Sequence, residues 1–107
     1  MVNVVLKSKK GLHYAEGLLD GKTIIILKGA KINLIDSFFQ MSPALLRIRH
    51  DKTIVSNEGI LLQNVTFNTP STAAQFVTGR SVNGYIAWRP NDEMSLKIYL
   101  MEQKSSN

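Results

Sequence analysis

The sequence predicts a small α+β domain, a mainly antiparallel sheet with about two helices packed on one face. Three observations carry that reading. Asp20-Gly21 separates two apolar runs, which marks a tight hairpin. Ser42-Pro43 and Thr69-Pro70 each join a capping hydroxyl to a proline suited to the first helical position. The length of 107 residues suits one domain with one modest core.

Each element follows in chain order. Val2 to Leu6 is β-prone and is broken by Ser8-Lys9-Lys10-Gly11. Strands are expected at 12–19 and 22–28, joined through a type I′ turn at Asp20-Gly21. Thr23 to Leu27 is continuously apolar rather than alternating, which predicts a strand covered on both faces. Lys31 to Gln40 has no decisive pattern. Leu45, Ile48, Lys52 and Val55 recur at helical spacing before Asn57-Glu58-Gly59, so a helix is expected over 43–57. Ile60 to Phe67 fits a strand or an extended connection.

Thr69-Pro70 then starts a short helix over 70–78. Ala73, Ala74, Phe76 and Val77 form its packed side, and Gly79 is its left-handed stop. Asn83-Gly84 reads as a turn and Tyr85 to Arg89 as a strand. On that strand Tyr85, Ala87 and Arg89 would share one face, with Ile86 and Trp88 on the other. Leu96 to Met101 is a last strand or short helix. The domain is therefore expected to span residues 1–101, with 102–107 as a flexible tail.

Composition narrows the function classes. With no cysteine, disulfides and thiolate metal sites are excluded. No apolar run approaches a membrane span of ~20 residues, and no secretory signal is evident, so a cytoplasmic protein without membrane partners is expected. The net charge of +5, from 13 Lys and Arg against 8 Asp and Glu, favours an anionic partner such as nucleic acid or a nucleotide. Catalysis finds no support. His13 and His50 lack metal-ligand spacing, His13 reads as a surface strand residue, and no nucleophile or phosphate-loop motif occurs. No cofactor is implied.

Candidate binding residues cluster late in the chain. Thr69, Ser71 and Thr72 surround a helix N-terminus, whose unpaired amides and dipole suit an anion; the plainer reading is that Thr69 caps the helix and the other hydroxyls face water. Arg80 follows the same helix and can return toward a bound phosphate. Asn83 offers a polar turn beside the strand. Tyr85 and Arg89 form the stacking and phosphate-contact pair if Trp88 fills the core. Lys28 and Lys31, with Arg47 and Arg49 on the middle helix, are candidates for nucleic-acid backbone contacts, or else simply solvated charges. Thr23–Leu27 and Ile60–Phe67 are β-rich segments whose edges, if exposed, can pair with a second copy.

Phe67-Asn68-Thr69-Pro70-Ser71-Thr72-Ala73-Ala74, continuing through Gly79-Arg80-Ser81-Val82-Asn83-Gly84-Tyr85 to Trp88, resembles the bacterial domain of unknown function 4357. Ala15-x-Gly17 and Ile26-Leu27-Lys28-Gly29-Ala30 resemble further elements of that family, so the likeness spans roughly residues 14 to 96. Tyr85 stands where the family usually has Trp, Ala30 where it has Ser, and Thr69 where it has Ser. The later pattern is also similar to the restriction-enzyme-and-adenine-methylase-associated domain, which is linked to recognition of modified DNA. The resemblance implies a DNA-related, non-catalytic binding role.

Overall fold

A computed structural model describes residues 1–37 and 39–105. Phe38, within the undecided stretch 31–40, and Ser106 and Asn107, at the end of the expected tail, lie outside the described residues. Four antiparallel strands form one sheet in the order β1-β2-β3-β4: β1 Val2–Lys7, β2 Tyr14–Asp20, β3 Thr23–Ile26 and β4 Val65–Phe67. Val4 and Leu6, Ala15 and Leu19, and Ile24 and Ile26 alternate onto one buried face. Ile25 is half-buried, so the second face of β3 is only partly covered. β3 pairs on both sides, with β2 and with β4, so Thr23–Leu27 offers no free edge there.

The β2–β3 hairpin turns one position later than a type I′ turn on Asp20-Gly21 would. Asp20 pairs with Thr23, which leaves Gly21 and Lys22 as the loop. Only Gly21 of these takes a positive φ, +63°. Glycine at the first loop position is the arrangement of a type II′ turn.

Helix α1 covers Pro43–Arg49 and stops well before residue 57. Ser42 caps it, its hydroxyl accepting from the Leu45 amide. Past its end, the Asp51 carboxylate accepts from the Thr53 amide and hydroxyl, which favours a turn over a continued helix. Val55 then bridges to Leu61, and the chain reverses between them through Ser56–Gly59. The apolar spacing over 45–55 thus belongs to two elements that both face the core.

Helix α2, Pro70–Thr78, matches its expected bounds. Thr69 accepts from the Thr72 amide at one end, and Gly79 at φ +79° ends the other. Ala73, Ala74, Phe76 and Val77 are fully buried, and Phe76 meets Phe67 with ring centroids 5.2 Å apart. The stretch expected as a strand at 85–89 is instead a single helical turn, α3 Gly84–Ala87, followed by an extended Trp88. The Asn83 side chain accepts from the Tyr85 amide and so starts a helix where Asn-Gly suggested a hairpin turn. Helix α4 covers Leu96–Ser105, reaching into the span expected as a tail.

Both ends of α2 are held by tertiary contacts. At its start, Trp88 is fully buried and its Nε1 donates to the Pro70 carbonyl at 3.0 Å. Gly84 sits so close that a Cβ there would lie 2.2 Å from the Pro70 carbonyl carbon. At its finish, the guanidinium of Arg49 enters the interior. Arg49 donates to the carbonyls of Phe76 and Asn33, and to the Asp36 carboxylate at 2.8 Å. Both side chains are almost wholly buried. His50 Nε2 lies 2.5 Å from the other Asp36 oxygen. Asn33 and Ser37 amides donate to Val77 and Gly79, completing the seam.

Each clamp can be tested by substitution. Arg49→Met leaves Asp36 as a buried carboxylate short of its main partner and should cost about 3–5 kcal/mol in urea unfolding. Burial of Asp36 favours its neutral form, but hydrogen bonds from Arg49 and His50, and their charges, outweigh it and hold the carboxyl below its ordinary 3.8. That contribution is complete above 3.8 and is lost as pH falls through the lower native value, so Asp36→Asn should flatten the acid limb of the stability curve. At the other end, Gly84→Ala should cost at least about 1–3 kcal/mol by overpacking. Exposed Ile86→Ala on the same turn should stay within ~0.5 kcal/mol.

Candidate functional site

The β1–β2 connection is a compact loop organised by Ser8. The Ser8 hydroxyl accepts from the amides of Leu12, at 2.6 Å, and His13, at 3.3 Å, and its own amide donates to the His13 carbonyl. Its O–H has no acceptor among the described residues. Lys9 and Lys10 are exposed on this loop. Lys31, which bridges to Tyr14, donates from Nζ to the Gly11 carbonyl at 3.3 Å and braces the loop from the other side.

Across from this loop lies the end of α2. The Thr78 hydroxyl engages the Ala74 and Arg80 carbonyls, which fixes the turn that carries Arg80. Between the two elements is a cavity of about 270 Å³. Lys9, Lys10, Leu12 and Arg80 are its exposed lining; Ser8, His13, Asn33 and Thr78 are set deeper. No carboxylate lines it. Among the described residues, Lys9, Lys10 and Arg80 form no ion pair.

His13 is the unusual member. It is only 8% exposed, against the expectation of a surface strand residue, because it closes the loop against the body of the domain. Its Nδ1 has no hydrogen-bond partner, and such unmet groups typically cost about 1–3 kcal/mol. Burial, and then the charge of Arg80, hold its pKa below the ordinary 6.5, so the ring is kept neutral.

The sequence-predicted residues do not meet at one place. Thr69, Ser71, Thr72, Asn83 and Tyr85 lie at the start of α2, and Arg80 at its finish, roughly 13 Å away at ~1.5 Å per residue over nine residues. At the start, the groups have structural partners. Thr69 accepts from the Thr72 amide and donates to its hydroxyl, Ser71 accepts from the Gly84 amide at 3.0 Å, and Asn83 caps α3. The close approach of Gly84 fills the space above the α2 amides.

Tyr85 and Arg89 do not share a strand face, because Tyr85 belongs to the α3 turn. It is half-buried beside Leu100, whereas Arg89 bridges to Val5 at the edge of β1 and donates to the Asp92 carbonyl. Arg49, expected as a nucleic-acid backbone contact, is instead an interior residue paired with Asp36 and not a surface cation. Arg47 is exposed on α1, and Lys28 lines a separate cavity with Tyr14 and Glu16. Arg80 and Lys31 alone of the expected set join the basic loop. Ser8, Lys9, Lys10, His13, Asn33 and Thr78 were missed; the signal available was a Lys-Lys pair beside Gly11, between two β-prone runs.

Among the described residues, no three His, Cys, Asp or Glu side chains gather to hold a metal ion, and no helix is long and apolar enough to cross a membrane. Neither the curated proteins nor the solved structures yield a match. A family model, however, matches residues 5–100, which includes the basic loop, the sheet and all four helices in whole or part. The chain belongs to the family described as the domain of unknown function DUF4357.

Proposed function

We propose that this domain is a non-catalytic nucleic-acid-binding module, DNA-related and linked to restriction-modification or phage defence, acting in the cytoplasm. The observation that carries the reading is the acid-free basic cavity, where Lys9, Lys10 and Arg80 gather without an ion-pair partner. Cations held apart from carboxylates are available to replace the counterions of a phosphate backbone. Lys31, on the other side of the same loop, extends the positive surface. The net charge of +5 adds long-range attraction. The pattern from Thr69 to Trp88, similar to the restriction-enzyme-and-adenine-methylase-associated domain, supports DNA over other anions.

A second reading has one observation in its favour. The basic side chains line a cavity rather than a flat strip, which also suits a small nucleotide or other phosphate compound held without a nucleic-acid strand. Pairing with a second copy remains open to β4, an edge strand that carries Val65 and Phe67.

Anisotropy titration of labelled duplexes, plain and adenine-methylated, across a salt series tests the first reading. Binding is expected at low salt and should weaken steeply as salt rises. Lys9→Ala should weaken binding to all sequences alike and reduce the log–log salt slope by about 1. No binding to any duplex at low salt would overturn the reading.

A further inference from the structure

We propose that the cavity between the Ser8–His13 loop and the end of α2 receives a terminal phosphate, the phosphomonoester of a nucleotide or of a phosphorylated strand end. The inference rests on the anion-binding reading above and specifies the group that the cavity takes.

Size is the first argument. At about 270 Å³ the cavity falls just short of the ~300–1,000 Å³ typical of sites that enclose a whole small-molecule ligand. It suits a head group with the rest of the ligand outside. A terminal phosphate has one substituent and can enter end-on. An internal phosphodiester has a nucleoside on each side and must lie across the opening.

Charge is the second. A diester bears one negative charge, whereas a monoester carries about −1.5 to −2 near neutral pH. Three unpaired cations facing one cavity exceed what a diester needs and match a dianion. The uncommitted Ser8 O–H adds a neutral donor at the same wall.

His13 is the third, and it provides a readout of its own. Arg80 from the end of α2 is the charge that acts on its ring, and the other charged groups lining the same cavity, Lys9 and Lys10 from its own loop, are also positive. A phosphate seated beside Arg80 reverses the local field and favours the protonated ring. Binding of a monoester therefore couples to proton uptake at His13, whose pKa rises in the bound state. His50 lies elsewhere, against Asp36, and serves as an internal comparator.

The test pairs two measurements on the full chain. In anisotropy competition, a 5′-phosphorylated oligonucleotide should bind about tenfold or more tightly than the same strand with a 5′-hydroxyl. AMP should compete where adenosine does not. Arg80→Ala and Lys10→Ala, both at exposed positions, should each remove most of the preference for phosphate. In NMR, AMP should move the titration midpoint of the His13 ring upward and leave the ring signals of His50 in place. AMP binding as tightly as the phosphorylated strand assigns the group to a free nucleotide; a markedly tighter strand assigns it to a strand end; both uphold the proposal. Measurable but equal affinity for phosphorylated and hydroxyl strands, or an unmoved His13, overturns it while leaving nucleic-acid binding intact. No binding of any of these ligands overturns both.

Discussion

The guanidinium of Arg49 is the interaction on which the rest of this domain depends. Segment 33–37 has no regular secondary structure, so it cannot be held by a ladder of its own. Arg49 gathers its carbonyls and the Asp36 carboxylate, and ties them to the last turn of α2 through the Phe76 carbonyl. A planar fork of five donors reaches acceptors on separate sides at once, whereas a lysine in that place would offer three donors from a single nitrogen. The close approach of Gly79 to the Ile35 carbonyl, where a Cβ would lie 2.1 Å away, follows from the same seam. Arg80 comes immediately after that glycine, and Asn33 lies on the segment's near side, so the buried ion pair builds one wall of the basic cavity.

The two ends of α2 divide the labour. Its start would be the natural anion site on dipole grounds, yet it is closed by protein: Trp88 takes the Pro70 carbonyl, Gly84 lies on the Pro70–Ser71 backbone, and Ser71 receives the Gly84 amide. The positive charge collects at the other end. There the dipole is negative, and it favours rather than opposes the nearby cations Arg80 and Lys10. Electrostatic attraction for an anion in this domain therefore comes from side chains and not from helix amides.

Features with local causes were legible in the sequence. Ser42-Pro43, Thr69-Pro70 and Gly79 act within one turn of themselves, and α2 has the bounds they indicate. The burial of Trp88 also followed from its size alone. Features with non-local causes were not. Tyr85–Arg89 is too short to separate alternation from one helical turn, and the deciding contact lies at Pro70. Arg49 looked like one cation in a basic run because its partner, Asp36, sits in a stretch without periodicity. The cavity draws on three separate parts of the chain, so Arg80 was legible as a phosphate contact but the Lys9-Lys10 pair only as a strand breaker. The family resemblance, carried most strongly by Phe67 to Trp88, pointed to the scaffold around α2 and away from the basic loop.

If the basic cavity is the binding site, a ligand binds at the finish of α2 and not at its start. Amide chemical-shift mapping with a 5′-phosphorylated oligonucleotide tests this most directly. The largest shifts should fall on Ser8 to His13, Asn33, Thr78 and Arg80. Shifts centred instead on Thr69 to Thr72 and Asn83 to Tyr85, with the Ser8–His13 loop unmoved, would contradict it.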